Sequence, residues 1–445
     1  MVRDEQIDTV LVVFVDMQGR FMGKRVTGHF FLDEMVDGDA MHGCNYLLTV
    51  DVDMEPLPGY EYANWEKGYG DFRCIPDMST LRHIPWLEKT ALVICDVYDE
   101  ESDDEVDVSP RQILKRQIDR AQEAGLTVKC GSELEFFLFR DSYEEAAAKG
   151  YRDLTPHSHY IEDYHILQTT KDEYLIRQIR NGMDGAGVPV EFSKGEWGRG
   201  QHEINLAYSE ALEMADRHVI YKNGVKEIAA LNERAVTFMA KPSMDEAGSS
   251  FHLHSSLWDA SGSQCLTFDE SAPNRMSTKL RHFLGGLIGT GREFAWMFAP
   301  YINSYKRYQP ESWAPTALAW AHDNRTCGFR IIGHGKSLRV ESRIPGADAN
   351  PYLAFAATIA AGLHGIENEF EPPDMYRGNA YEATDVERVP WNITEAITEL
   401  ENSELAAEAF GEDVHKHLIN TAKQEWARSN QTVTDWELRR NFERI

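Results

Sequence analysis

The sequence predicts an α+β protein of two domains, and three features carry that prediction. A β-branched run and a second extended run open the chain, and an acidic stretch interrupts it near residue 100. Beyond that stretch, four segments alternate charged with apolar residues in the way of strands that bury one face. The 445 residues are 42% hydrophobic, enough for a large core shared between two domains.

Thr9–Val15 reads as a strand that stops at Asp16, Met17, Gln18 and Gly19. A second extended run, Phe21–Val26, makes the opening a hairpin, and another strand is expected over Ala91–Val97. Residues 98–107 are strongly acidic and read as a solvated linker or an exposed loop. Ser109 then supplies an N-cap, Pro110 a first helical residue and Gln112 a third. The helix is predicted to run through Ile113, Leu114, Ile118 and Ala121 and to stop at Gly125. The domain boundary falls near residue 106, giving domains 1–105 and 106–445, with no internal repeat.

Net charge narrows the partners. A formal charge of −28 argues against nucleic acid or an anionic membrane, so anionic ligands need a local basic cluster. No apolar run is long enough to span a bilayer, and the opening residues do not read as a signal peptide. The six cysteines form no Cys-x-x-Cys pair, which predicts buried reduced thiols and a cytoplasmic protein.

The alternating segments hold the chemistry. Glu133 and Glu135 share one face of their strand, with Leu134 and Phe136 on the other. His252, His254 and Ser256 share a face, as do Gln201, Glu203 and Asn205, and also Arg339, Glu341 and Arg343. Taken alone, each reads as a face turned to water. Together they predict one site for anions and cations. Ligation by carboxylates with one or two imidazoles and no thiolate favours Mg²⁺ or Mn²⁺ over structural zinc. Between Arg307 and Arg343 the chain also gathers Arg325, Arg330, Lys336 and Arg339, forks and a point charge suited to phosphate and carboxylate. The residues therefore predict a divalent-metal site for phosphate transfer or hydrolysis.

Several motifs, in joint order and spacing, resemble the glutamine synthetase family, type I-like, over nearly the whole chain. They are Glu133–Phe137, Glu196–Glu203, Lys241 and Pro242 with Gly248–His254, Asn303–Arg307, Asp323–Arg325, Arg339–Arg343 and Asp348–Tyr352. The resemblance implies an N-terminal β-grasp domain and a larger catalytic domain with an antiparallel sheet. It also implies a homo-oligomer of two stacked rings, a dodecamer being expected, with active sites at subunit junctions. Carried over to this chain, Glu135, Glu196 and Glu203 would hold one ion and Glu133, His252 and Glu341 a second. Glu191, Tyr208, His254, Ser256, Arg330 and Lys336 would bind ATP. Arg307 and Arg343 would hold the carboxylates of glutamate, with Gly248 beside them, and Arg325 would touch the phosphoryl group in flight. The implied reaction makes γ-glutamyl phosphate and ADP, after which an amine displaces phosphate.

The departures cluster at the acceptor. Ammonia-using members carry a glutamate where this chain has Trp313, in the flap Pro310–Pro315, and their ammonium-site segment is replaced by Leu48–Met54. Asp51 or Asp53 stands in that region. The Asn-Gly that usually contacts glutamate has become Ala247-Gly248. An indole in place of a carboxylate favours an alkyl or aryl amine over hydrated ammonium. The reading is a γ-glutamylamide ligase for an amine such as ethanolamine, an alkylamine, aniline or a polyamine. Alternatives are glutamine synthetase itself, a non-catalytic scaffold or regulator of the family, and a metallohydrolase without ATP. Tyr381 lies where regulated members carry an adenylylated tyrosine, but the residues after it differ, so no such control is expected.

Overall fold

The computed structural model describes residues 1–36 and 41–445. The opening hairpin forms as read: β1 (Thr9–Val15) pairs antiparallel with β2 (Phe21–Thr27). β3 (Met41–Cys44), β4 (Asp71–Pro76), β5 (Arg82–His83) and β6 (Thr90–Asp99) complete a six-stranded sheet of order β2-β1-β6-β4-β3, with β5 against β6. β1 and β6 run parallel at its centre. Both are almost continuously apolar because both of their faces are covered. The acidic residues after β6 form turns, and the helix Pro110–Glu123 follows. Ser109 has extended N-cap geometry, but its side chain makes no capping hydrogen bond; Pro110 alone marks the start. The chain leaves the helix through Gly125 at φ 72°, a conformation that favours glycine.

The second sheet carries β7 (Leu126–Phe139), β8 (Val190–Gly195), β9 (Gln201–Leu206), β10 (Ser209–Glu210), β11 (Ala235–Thr237), β12 (Phe251–Asp259), β13 (Trp320–His322), β14 (Phe329–Ile332) and β15 (Arg339–Ser342). Its order is β13-β14-β15-β12-β7-β9-β8, with β10 and β11 pairing onto β7. Among the described pairs of this sheet only β13–β14 is parallel. Leu134, Phe136 and Leu138 of β7 face the core. Helices Pro110–Glu123, Ala211–Leu231 and Pro351–Glu367 pack together, the first two against β7. Tyr221 Oη donates to Leu134 O at 3.4 Å, and Ser132 Oγ lies 2.9 Å from His218 Nδ1. The apolar face of the sheet is thus sealed by helices, which leaves the polar face for chemistry.

The two sheets are joined through one buried guanidinium. Arg111 bonds Asp77 at 2.7 Å and also Asp96 on the first sheet, and reaches Asp216 on helix Ala211–Leu231 at 3.1 Å. Asp216 also accepts from Tyr352 Oη. No described helix is long and apolar enough to cross a membrane.

Candidate active site

Register assembles the polar face. In an antiparallel pair, opposed residues project to the same side. Arg330, Glu341, His254 and Gly131 make one row across β14, β15, β12 and β7. His252, Glu133 and Asn205 make the next, and Glu135, Glu203 and Lys194 a third. Far from facing water, this side is closed: Glu135, Glu203, His252, His254, Glu341 and Arg343 are all buried.

Three groups of ligand atoms lie on it with all members within 4.8 Å of one another. They are Glu135–Glu196–Glu203, Glu133–Glu203–His252 and Glu133–His254–Glu341. The first is the triad expected from the sequence. The second expected triad, Glu133–His252–Glu341, is spread over the other two groups. His252 Nδ1 lies 3.3 Å from Glu133 and 3.8 Å from Glu341, while His254 Nε2 lies 2.9 Å from Glu133. Glu341 is held on both oxygens by arginine, from Arg330 at 3.0 Å and Arg343 at 2.7 Å.

The electrostatics follow from burial and from charge crowding. Burial, then the neighbouring Glu196 carboxylate, pushes Glu135 up to about 8. Burial and the charges of Glu133 and Glu196 push Glu203 well above the carboxylate range. Burial also opposes the charge on Glu133, but His254 and His252 outweigh it and hold that carboxyl far down. His252 falls to about 4 through burial and the charge of Arg343. His252 Nε2 and Asn205 Oδ1 are buried with no hydrogen-bond partner among the described residues. A face of crowded acids with orphaned donors for a cation fits divalent metal.

Two cavities open onto this face. One of about 360 Å³ is lined by Glu191, Tyr208, His254, Ser256 and Lys336. Five residues expected at the nucleotide are therefore together. The other, about 410 Å³, holds Glu135, Gly248, Arg307, Trp313 and Arg343. Arg325 and Arg330, also expected at the nucleotide, line this second cavity instead. Glu133 and Asn205 line both, so the cavities meet at the middle row.

The arginines are not equivalent. Arg307 is fully buried and spends its fork on Ile344 O, Ser250 Oγ and Arg343 O, at 2.8, 2.8 and 3.0 Å. Its Nε has no partner among the described residues. Arg325 is exposed at the cavity and makes no ion pair among the described residues. Gly248 cannot carry a side chain: a Cβ there would stand 2.7 Å from Arg307 Cγ and 2.8 Å from Ala240 O.

Sequence reasoning passed over Lys194, Trp197, Asp163 and Tyr164. Lys194 contacts Glu196, lies 3.6 Å from Asp163 and sits 4.6 Å over the Tyr164 ring. Trp197 stands 5.9 Å from Trp313, ring to ring, both half-exposed at the second cavity. Trp197 was legible as an aromatic beside the ligand Glu196; Asp163 and Tyr164 come from a loop that carries no motif. Asp51 and Asp53 do not line the cavity. Asp51 pairs with Arg428 at 2.9 Å, and Tyr381 keeps its hydroxyl buried.

A buried face of acids, imidazoles and arginines between two cavities defines an enzyme that brings anions together over a cation. The chain belongs to the glutamine synthetase family, whose catalytic-domain model matches residues 107–441, and by class it is an ATP-dependent carbon–nitrogen ligase. It is 51% identical over 439 residues to a gamma-glutamylethanolamide synthetase of Streptomyces coelicolor, covering 99% of this chain and 93% of that one. It is 37% identical over 448 residues to a glutamate–isopropylamine ligase of a Pseudomonas species, covering 100% and 97%. A glutamine synthetase of Thermotoga maritima is 30% identical over 451 residues, covering 99% and 97%. Among solved structures, an ADP complex of GmaS superposes with a TM-score of 0.86 at 28% identity, covering 99% and 98%.

Proposed function

We propose that this enzyme joins the γ-carboxylate of L-glutamate to a small organic amine at the expense of ATP. The observation that carries the reading is the Trp197–Trp313 wall of the second cavity. Two half-exposed indoles offer apolar surface and cation–π contact to an alkylammonium group, and ammonium gains little from either. Asp163, beside Lys194 at the same cavity, supplies one negative charge for a monocation. The ethanolamide and isopropylamide ligases among the relatives support this substrate class.

In this reading the nucleotide lies in the smaller cavity with its phosphates toward Glu133 and Asn205. Glutamate lies in the larger one against Arg343 and Arg307. Mg²⁺ or Mn²⁺ held by Glu135, Glu196 and Glu203, and by Glu133, His252 and Glu341, would neutralise the phosphates so that the two anions can meet. Arg325, exposed at the cavity and free of any ion pair among the described residues, stabilises charge on the transferring phosphoryl group. The indoles exclude water from the acyl phosphate; the bound ammonium gives up a proton, the free amine attacks the carbonyl carbon, and phosphate leaves as the amide nitrogen loses its second proton. We assign residues 1–105 to a β-grasp domain and 106–445 to the catalytic domain. A cytoplasmic dodecamer of stacked rings would let Asp51 or Asp53 of one subunit face the cavity of another, which no described residue before 106 lines within the chain.

Phosphate release from Mg-ATP and glutamate, across ammonium, ethanolamine, isopropylamine, aniline and a polyamine, tests the reading. Turnover with one small monoamine at least tenfold above ammonium is expected. Best turnover with ammonium would make the enzyme a glutamine synthetase and remove the role given to the indoles.

A further inference from the structure

The catalytic sheet carries a second cluster of potential ligands on the side away from the phosphate-transfer face. His202 neighbours Glu203 on β9 and so projects the opposite way, its ring 5.9 Å from that of Phe136. Asp172, at the start of helix Glu173–Gly185, places Oδ2 3.0 Å from His202 Nε2. Glu162, from the loop before that helix, places Oε2 3.5 Å from the same nitrogen. One ligand atom from each of the three lies within 4.8 Å of the others. His157 Nδ1 contacts the remaining oxygen of Asp172 without hydrogen-bond geometry.

Glu162 is what hydrogen bonding leaves unexplained. It is fully buried, and neither carboxylate oxygen has a hydrogen-bond partner among the described residues. The Asp172 carboxylate already serves two imidazoles. A buried carboxylate that makes no hydrogen bond of good geometry is costly. A cation between the groups would satisfy it.

We propose that Glu162, Asp172 and His202, with His157 beside Asp172, form a closed divalent-cation site distinct from the phosphate-transfer site. Two carboxylates and one imidazole suit a divalent ion, and Zn²⁺, which binds such a set more tightly than Mn²⁺, is the probe. The spacing agrees: a tetrahedral ion with bonds of about 2.0–2.1 Å sets its ligands about 3.3 Å apart. Two of the three spacings, 3.0 and 3.5 Å, lie near that value, the shorter one being a His202–Asp172 hydrogen bond that an ion would replace. All three ligands are fully buried, out of reach of a substrate, so the role of the site is to fix β9 from behind and, through it, the position of Glu203. His202 is here a positioning residue.

The test is metal content of the intact enzyme, loaded with Zn²⁺ and then dialysed against a moderate chelator. Four proteins are compared: the natural enzyme, Glu162→Gln, His202→Gln and Glu133→Gln, the last altering only the phosphate-transfer face. The expected result is one retained ion per chain in the natural enzyme and in Glu133→Gln, and loss of that ion in the other two. Glu162→Gln keeps the shape of the side chain, so its loss of metal with unchanged circular dichroism separates ligation from folding. No retained ion in the natural enzyme would overturn the proposal, with Glu162 then held neutral by a proton. An ion lost from Glu133→Gln and kept by Glu162→Gln would overturn it as well.

Discussion

Trp313 holds a backbone angle that its side chain resists, with φ at 62°. The left-handed region costs an ordinary residue roughly 1–2 kcal/mol, and Tyr164 and Asp323 near the same cavity share it, at 55° and 52°. At Trp313 that strain accompanies the packing of its ring against Trp197. Trp313→Glu removes the apolar contact and restores a charge that suits ammonium. The ratio of kcat/KM for alkylamine over ammonium is expected to fall by roughly tenfold or more, the worth of a desolvated cation–π contact. A ratio that does not move would detach Trp313 from acceptor choice. Trp313 is visible in the sequence, at the place where the family resemblance implies a glutamate. Its partner is not, because Trp197 and Trp313 lie far apart in the chain and meet only across the cavity.

Strands explain which parts of the site are legible in the sequence and which are not. On β7, β12 and β15 strict alternation sorts ligands from core, so the residue pattern alone puts Glu133, Glu135, His252, His254 and Glu341 on one face. On β8 a register shift between Val190 and Phe192 breaks the alternation, which hides Lys194 although it shares a row with Glu203. On β9 the alternation marks Gln201, Glu203 and Asn205, while His202 on the opposite face has no polar neighbour within the strand to single it out. Helices bring a different sensitivity. His417, on helix Glu412–Asn430, lies 3.0 Å from Leu48 O and is driven down to about 4 by burial. The unfolded chain takes up this proton near pH 6.5 and the folded chain only near 4, so stability falls as pH drops through that window. Unfolding free energies from denaturant titration at pH 7 and pH 5 should differ less in His417→Gln, by on the order of 1–2 kcal/mol. His218 and His252, also lowered by burial, keep part of the acid sensitivity in place.

At the scale of the molecule, Arg111 ties the two sheets. Its guanidinium answers three aspartates, and Asp216 is buried too deeply to find water instead. Removing one partner of such a network leaves a bare charge inside, which costs about 3–5 kcal/mol. Arg111→Ala is expected to lower the unfolding midpoint strongly and to loosen the N-terminal sheet, as read by hydrogen exchange of β1 and β6. Protection that stays unchanged there would show the network to be dispensable. The acidic stretch and Pro110 mark the neighbourhood of this joint in the sequence. They do not mark the joint itself, since Asp77, Asp96, Arg111 and Asp216 are ordinary surface types until folding buries them.

The wall shared by the two cavities, Glu133 and Asn205, has a consequence for individual atoms. In the proposed reaction a phosphoryl group that crosses there passes to the glutamate carboxylate and not to water. One oxygen of that carboxylate must therefore leave the enzyme as part of inorganic phosphate. With glutamate carrying ¹⁸O in its γ-carboxylate, each turnover with amine should yield phosphate bearing a single heavy oxygen, by mass spectrometry. Phosphate that drew its fourth oxygen from solvent would mean that ATP is spent by hydrolysis and that the shared wall leaks.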